Sequence, residues 1–334
     1  MWRLIRFVLL AALAVSGWWA FATFGAVRGI DQWLAQRQVD GWQAETSAIG
    51  FQGFPSHVHL LLRNLTLADP STGVALDTSV LELRAPVWAP GDIRIVLPGD
   101  PILLATPEGR ARLLVQKGRV DVSLKPKIAM ALEKMKTSSD AWLLDSVAGD
   151  FLAGGKSQMV LHQDEEIPEK YALNLRVDAL RPGEIPRAAL FIPQHWPVSF
   201  DSFNARLSVT FDRVWDISAL EVSRPQPRQI IIDQAEAAWG ALQLRFAASL
   251  DIDPDGAATG TVKVQARNWR TMLVLAENAG VLPRALRPQF EQALSALAGL
   301  GGNSEALDLT LTLNDGLISV GFLPLGPAPR FILR

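Results

Sequence analysis

The chain passes from one continuous apolar segment near its N-terminus to long stretches in which apolar and polar residues alternate. Residues 7–27, FVLLAALAVSGWWAFATFGAV, carry no charge. An uncharged run of about 20 residues is long enough to cross a bilayer core as a helix. From His57 onward apolar residues recur at every second position, which is the pattern of a half-buried strand. The pattern therefore predicts one N-terminal transmembrane helix followed by a mainly β domain.

The apolar segment has two leading interpretations, an uncleaved anchor and a cleaved signal peptide, and both carry the rest of the chain across a membrane. A buried core helix is disfavoured, because the run stands at the N-terminus behind two arginines. Arg3 and Arg6 precede it, which places the short N-terminus in the cytoplasm. Residues 20–22, Ala-Phe-Ala, also fit the small-x-small pattern of a cleaved signal peptide. The run is longer than a usual signal core, and Trp18 and Trp19 stand where small residues are more common. We therefore prefer an uncleaved anchor over residues 1–28.

The change of period divides the remaining chain. Residues 29–47 read as a short amphipathic juxtamembrane helix, and residues 48–334 as a β-rich domain. A turn with two glycines and a proline, residues 50–55, leads into the first strand. The proline-rich residues 181–198 are the candidate seam between two halves of this domain.

Alternating apolar residues dominate the β-rich region. Strict alternation gives each strand one apolar and one wetted face, which is typical of antiparallel sheets. Turn sequences such as 253–256 and 314–316 link neighbouring strands closely. The pattern predicts a long antiparallel β-meander, with its clearest strands at residues 81–84, 120–124, 173–177, 207–211, 243–252, 262–265 and 307–313.

Helices are few in this region. Residues 126–136 show a helical apolar period, Asn268 can cap a helix over 269–279, and Pro283 can open another. Three modest helices cannot cover the apolar face of about a dozen strands, each of whose buried side chains contributes about 1.5–3 kcal/mol. We therefore expect a mainly β (α+β) fold in which a long curled sheet forms an apolar groove or a barrel-like structure.

Composition narrows the classes of function. The formal net charge is −2, and no dense Lys/Arg cluster is visible, which argues against a nucleic-acid partner. The chain has no cysteine, which excludes disulfides, thiolate catalysis and cysteine metal sites. A cysteine-free chain also suits an oxidising compartment.

One acidic motif resembles the start of a calcium-binding loop. Residues 251–256, DIDPDG, place carboxylates at alternate positions, as an EF-hand does. The twelfth position is Val262 instead of glutamate, and the flanking segments are predicted strands. A hairpin turn is therefore the better interpretation.

The sequence gives weaker support to other candidate metal-binding and catalytic residues. His57 and His59 would lie on one side of a strand as a possible zinc pair, but no third ligand is near them in the sequence. Residues 164–166, Asp-Glu-Glu, read as a solvated turn. No nucleophile elbow, phosphate loop or dinucleotide fingerprint is present. We therefore expect no catalytic residues, no metal and no cofactor, and a protein that is not an enzyme.

The C-terminal third holds a series of turn and strand motifs. They are Trp239-Gly240, Leu242–Ile252, Asp255-Gly256, Gly260, 262–266, 307–313, Asp315-Gly316, Gly321 and 324–329. With the 50–55 turn and the N-terminal anchor, these motifs resemble an uncharacterised proteobacterial envelope family, domain of unknown function 2125. The layout is similar, more weakly, to the AsmA-like group, in which an inner-membrane anchor precedes a long apolar β-groove. This chain is short for that group.

The resemblance implies a single-pass protein of the bacterial inner membrane with most of its chain in the periplasm. The AsmA-like resemblance implies binding or transfer of lipid, with phospholipid as a candidate partner, in envelope homeostasis. The alternative is a structural scaffold with a filled core that docks an envelope protein through an edge strand. In the first hypothesis the groove is lined by the inward residues of the alternating strands, namely Leu207, Val209, Phe211, Leu250, Ile252, Val262, Val264, Leu309 and Leu311.

Overall fold

The computed structural model describes residues 1–127, 129–221, 223–280, 282–300, 304–321 and 323–333. Within these ranges antiparallel β-strands hold far more residues than helices do, and the helices are few. This confirms the predicted mainly β fold class. The chain divides into two compact units: residues 1–126 with 135–147, and residues 127–134 with 148–334.

The first unit combines one long helix with short and long strands. Strand β9 (Leu132–Ser139) begins in the second unit and ends in the first. The other elements of the first unit are α1 (Trp2–Val39), β1 (Gln43–Glu45), β2 (Ala48–Gln52), β3 (His57–Asp69), β4 (Val74–Pro86), β5 (Asp92–Val96), β6 (Ile102–Thr106), β7 (Gly109–Gln116), β8 (Arg119–Leu124) and β10 (Ala141–Ser146).

The sheet of the first unit is built outward from β3 and β4. Strands β1 and β2 pair with one edge of β3, and β4 pairs with the other. The free edge of β4 pairs with both β5 and β6. From there β5 pairs with β8, while β6 pairs with β7 and β7 with β10. Every one of these pairings is antiparallel.

Helix α1 is exposed over its first half, here called the bare segment, and packs on this sheet over its second half. Residues 2–15 are exposed, whereas Leu34 is buried in a cluster with Leu60 and Leu62 of β3. Ala22 and Ala26 pack against the same cluster. Alternation along β3 turns these leucines toward the helix, so the apolar face of the sheet and the outer half of α1 form one core.

The helix continues without a break through the predicted anchor and ends at Val39, inside the predicted juxtamembrane helix of residues 29–47. Asp40 and Gly41 close it, and Gly41 has a φ of 88°. Residues 43–45 are strand β1. The anchor and the first strand are therefore joined by a tight turn.

The second unit combines strands with several short helices. Its elements are β11 (Gly149–Gly154), β12 (Ser157–Gln163), β13 (Lys170–Val177), β14 (Arg181–Pro182), α2 (Glu184–Ala189), β15 (Ser202–Phe211), α3 (Ser218–Glu221), β16 (Pro227–Trp239), β17 (Leu242–Ile252), β18 (Ala258–Arg267), α4 (Trp269–Asn278), α5 (Arg287–Leu300), β19 (Ala306–Asn314), β20 (Leu317–Val320) and β21 (Leu323–Pro327).

These strands form an antiparallel meander. The order is β12–β13–β15–β16–β17–β18–β19–β20–β21, and β11 pairs separately with β14. Residues 181–198, the predicted seam, lie within this unit and include β14 and α2.

The helix predicted over residues 126–136 is wrong, because strand β9 begins at Leu132. The amide of Leu132 donates to the carbonyl oxygen of Trp215 at 2.7 Å, and its own carbonyl accepts from the Tyr171 hydroxyl at 3.2 Å. Both partners lie far along the chain. Long-range backbone pairing has therefore overridden a helical local pattern.

Tyr171 of β13 ties several segments of the second unit together. It is only 1% exposed. Its hydroxyl accepts from the amide of Trp215 at 3.2 Å and from the side-chain amide of Gln163 at 3.3 Å, while donating to Leu132. Burial raises the pKa of this phenol, because the charged form loses its hydration.

We predict that Tyr171→Phe lowers the free energy of unfolding by about 1–3 kcal/mol at neutral pH, because it leaves buried polar groups without their hydrogen-bond partner while keeping the ring. In the native chain the raised pKa makes this contribution fully present below about pH 10 and lost as the pH rises through the folded value. The variant should therefore lose less stability at alkaline pH. Thermal unfolding followed by circular dichroism at pH 7 and at alkaline pH measures both effects.

Tyr171 is the only tyrosine in the chain, so tyrosinate absorbance reports its ionisation directly. In the folded protein the absorbance should rise at a higher pH than in the denatured protein. Identical titration curves in the two states, or a stability difference between the native chain and the variant that is the same at both pH values, would contradict this account.

Candidate functional site

The nine residues predicted to line a groove lie on one face of the meander in the second unit. Residues that are directly opposite in antiparallel strands point to the same side of the sheet. Val262 is opposite Leu311, and Val264 is opposite Leu309. One row runs from Leu207 through Ile232 and Ala248 to Val262 and Leu311, and a second joins Val209 to Ile230 and Leu250. Phe211 and Ile252 continue the same alternation on β15 and β17.

Other segments cover the two ends of this face. Near the C-terminus, Ala328 and Phe331 pack against a cluster that contains Leu250 and Ile252. At the other end, Trp269 of α4 is buried together with Leu309. Between them, Leu207, Val209, Val262 and Leu311 are half-buried. Their role in lining a lipid groove stays a prediction.

A separate apolar cavity lies in the first unit, between α1 and the sheet. Its volume is about 470 Å³, within the range of about 300–1,000 Å³ that is common for small-molecule sites. Of the described residues that line it, Arg84 alone carries a charge. The lining residues are Trp18, Phe21, Ala22, Gly25, Ala26, Ile30, Val58, Leu60, Leu83, Arg84, Ala85, Pro86, Val87, Pro90 and Ile93. None of the nine predicted residues is among them.

Small side chains on the helix wall and a gap between two strands on the other wall explain why the cavity is open. Ala22, Gly25 and Ala26 recur at helical spacing on α1 and leave the helix surface thin. A Cβ atom built on Gly25 would meet nothing within 4 Å. On the other wall, β4 pairs with β5 only at residues 82–84. Beyond Arg84 the two strands separate into a turn, and that turn borders the cavity.

Two tryptophans fix the helix at one end of the cavity. The Trp18 indole nitrogen donates to the carbonyl oxygen of Val87 at 3.2 Å, and that of Trp19 donates to the carbonyl oxygen of His57 at 2.8 Å. These bonds tie α1 to the start of β3 and to the turn after β4. The cavity therefore begins where the bare part of α1 ends.

A polar cleft of about 800 Å³ lies on the opposite face of the same strands. One row of directly opposed residues crosses it: His59, Arg84, Arg94 and Asp121. Arg94 donates to Asp121 at 2.5 Å. Alternation thus places an apolar cavity and a charged cleft back to back on β3, β4 and β5.

Glu82 neutralises the charged side chains on the β3–β4 part of that face. It accepts from Arg84 at 2.5 Å and lies 3.2 Å from His59. The bond from Arg84, opposed by partial burial and reinforced by the charges of Arg84 and His59, holds the pKa of the Glu82 carboxyl below its usual value. The cleft is therefore lined by paired charges of both signs.

Polar side chains of the histidine pair and of the 251–256 motif form hydrogen bonds within the protein. His59 shares its two ring nitrogens between Gln52, at 3.0 Å, and Glu82. Within the described ranges, no group of three histidine, aspartate or glutamate side chains could hold a metal ion. The 251–256 motif is a hairpin turn in which the Ala257 amide donates to the Asp253 carboxylate.

Asp164 likewise organises a turn, accepting from the amides of Glu166 and Ile167 at 3.0 Å. These two bonds, the Ile167 bond first, lower the pKa of the Asp164 carboxyl. Its side chain is used by the local backbone, as the solvated-turn interpretation predicted.

Fold and site together define a class: a mainly antiparallel β protein with one N-terminal helix, Trp2–Val39, that is long and apolar enough to cross a membrane. A signal sequence has the same length and composition properties, so the helix is compatible with a single-pass anchor.

The family follows from comparison with known families. The family described as "Uncharacterized protein conserved in bacteria (DUF2125)" matches residues 19–329. The chain belongs to this family, which confirms the first resemblance seen in the sequence. No curated protein matches the chain. The AsmA-like resemblance stays a prediction.

The site prediction from sequence missed the cavity because its helix wall is apolar in the same way as a membrane helix. The available signal was the set Ala22, Gly25 and Ala26, which is smaller than the leucines that dominate residues 9–13. Hydropathy alone assigns that set to a lipid-facing span instead of a wall of the domain.

Glu82→Gln should destabilise the protein at neutral pH and have little effect at strongly acidic pH. Because the folded pKa of Glu82 is lowered, its stabilising contribution is present above the unfolded value and is lost as the pH falls through the folded value. Thermal unfolding of the native chain and the variant at several pH values between 7 and 3 tests this. A stability difference that stays constant across that range would count against the ion-pair account.

Proposed function

We propose that the protein is a membrane-anchored lipid-binding protein that holds an acyl chain in the cavity between α1 and the sheet. The observation that carries this proposal is the position of the cavity. Its lining begins at Trp18, directly after the bare segment of the only described helix that could cross a membrane. A lipid chain could enter it without crossing water.

The shape and chemistry of the walls support an acyl chain as ligand. The α1 wall runs from Trp18 to Ile30, which is about 18 Å of helix at a rise of about 1.5 Å per residue. Aromatic, aliphatic and proline side chains make up nearly all of the described lining. Such a surface favours a flexible apolar chain because burial removes its CH₂ groups from water, at about 0.8 kcal/mol each.

The charged cleft supports a lipid with a polar head. Arg84 lines both the apolar cavity and the cleft behind it. Its guanidinium is shared with Glu82, so a headgroup carrying both a phosphate and an ammonium would meet charges of both signs nearby. This favours a zwitterionic phospholipid.

The proposed location follows from the anchor. Arg3 and Arg6 precede the apolar segment, which favours a cytoplasmic N-terminus by the positive-inside rule. The sheet then lies on the far side, in the periplasm of a bacterium. The protein acts there by binding and not as an enzyme.

Photolabelling in a membrane tests the lipid site. The full chain is reconstituted in vesicles of phosphatidylethanolamine and phosphatidylglycerol with a trace of phospholipid carrying a diazirine in its acyl chain. After illumination, peptide mass spectrometry should find adducts on residues 58–60 and 83–87 as well as on residues 2–17. Leu103, an exposed residue of β6, provides the background level.

Gly25→Leu should reduce the adducts on residues 83–87 several-fold, because the added side chain occupies the cavity. It should not lower stability, since leucine favours a helix over glycine by up to about 1 kcal/mol. Gly17→Leu is the matched control: a Cβ atom there also meets nothing within 4 Å, and Gly17 does not line the cavity.

Adducts confined to residues 2–17 in the native chain would overturn the lipid site. That result would favour the alternative scaffold function, in which the domain docks another envelope protein. Equal labelling of residues 83–87 in both glycine variants would also contradict an acyl chain in this cavity.

A further inference from the structure

We propose that the folded domain itself contacts the bilayer, through two turns that insert aromatic side chains into the membrane interface beside α1. The first is the end of β2 together with the turn that follows it, residues 51–55, and the second is the turn between β4 and β5, residues 87–91. We name this surface the aromatic rim and define it by Phe51, Phe54 and Trp88. The inference rests on the proposed membrane anchor, and it adds a second point of membrane contact.

The three rim side chains are large, apolar and exposed. Phe51 is 47% exposed, Phe54 58% and Trp88 68%. Residues 50–56 and 85–91 carry no charge; the nearest charged residues on β4 and β5 are Arg84 and Asp92. Exposed apolar clusters of this kind in a folded domain mark a contact with a partner or a membrane.

The rim is continuous with the apolar surface of α1. The ring centroids of Trp19 and Phe54 are 5.4 Å apart in an edge-to-face arrangement, and those of Phe24 and Phe51 are 5.7 Å apart. Phe24 is itself 60% exposed. Helix and turns therefore present one aromatic surface, and whatever solvates exposed Phe24 on the helix also meets Phe51.

The length of bare helix indicates a bilayer as the partner. The sheet meets α1 at Trp18 and Trp19 through two hydrogen bonds. This leaves residues 2–17 free of the sheet, which is about 24 Å of helix. A bilayer core is about 30 Å thick. The bare segment falls short by about 6 Å, so a bilayer around it also reaches the level at which the rim lies beside α1.

The chemistry of the two ends agrees with this placement. Arg6 lies over the ring of Trp2 at 5.3 Å from its centroid, so an indole and a cation mark the cytoplasmic end. Trp18, Trp19 and Trp88 cluster at the other end, and tryptophan is enriched at both membrane–water interfaces. Trp88 packs edge-to-face on His57, the first residue of β3.

Spin labelling measures the depth of the rim directly, since the native chain has no cysteine. Single variants Phe54→Cys and Trp88→Cys are labelled with a nitroxide in the full chain, reconstituted in phosphatidylethanolamine/phosphatidylglycerol nanodiscs. Collision rates with oxygen and with a water-soluble nickel chelate are compared. Ala89→Cys keeps both aromatic residues, so it reports the same depth if replacing a rim residue weakens insertion.

Two control sites calibrate the scale. Leu13→Cys lies on the bare helix and is 69% exposed in the protein. Leu103→Cys is as exposed as Phe51, at 47%, but Leu103 is opposite Asp77 of β4. Asp77 is nine residues from Pro86, which is about 30 Å along a strand. Leu103 should therefore remain in water.

We expect the oxygen-to-nickel collision ratio at residues 54, 88 and 89 to exceed that at residue 103 and to approach that at residue 13. A water-like ratio at all three rim sites, with a bilayer-like ratio at residue 13, would overturn the rim and leave the anchor intact. Water-like ratios at every site, including residue 13, would overturn both. The first outcome leaves the photolabelling test for an acyl chain unaffected, whereas the second also removes the anchor on which that test depends.

Discussion

The first unit depends on one contact, in which the C-terminal half of α1 packs on the apolar face of β3 and β4. Leu34 and Ala44 are buried with Leu60 and Leu62, and the Trp18 and Trp19 indoles bind carbonyl oxygens of the sheet. The helix is 38 residues long, which is about 57 Å. Roughly half of it thus belongs to the core of the domain, so the helix is a rigid part of the domain rather than a tether.

Most of the strands could be predicted from the alternation of apolar and polar residues, because that alternation is visible in neighbouring positions of the sequence. It also gave the correct common face for Leu207, Val209, Val262 and Leu311, whose cross-strand rows the structure contains. It could not say what covers that face. The burial of Leu309 depends on α4 and α5, and that of Leu250 on residues near the C-terminus. Those contacts are distant in sequence and leave no local signal.

The same limit explains the two clearest failures of sequence reasoning. The strand at Leu132 is held by Trp215 and Tyr171, which a local helical period does not reveal. The cavity was missed because hydropathy cannot distinguish an alanine that faces lipid from one that faces protein. Ala22 and Ala26 belong to an uncharged run that fits a membrane span, yet both pack against the sheet.

The back-to-back position of the apolar cavity and the polar cleft follows from strand geometry. On β3 and β4, Leu60 and Leu83 face α1, while their neighbours His59 and Arg84 face the cleft. A sheet that seals a helix on one face must expose its alternate residues on the other. Only where β4 and β5 separate, beyond Arg84, can one ligand reach both faces. If a phospholipid binds here as proposed, its head and chain must therefore meet near the turn of residues 87–91, which is also the turn that carries Trp88.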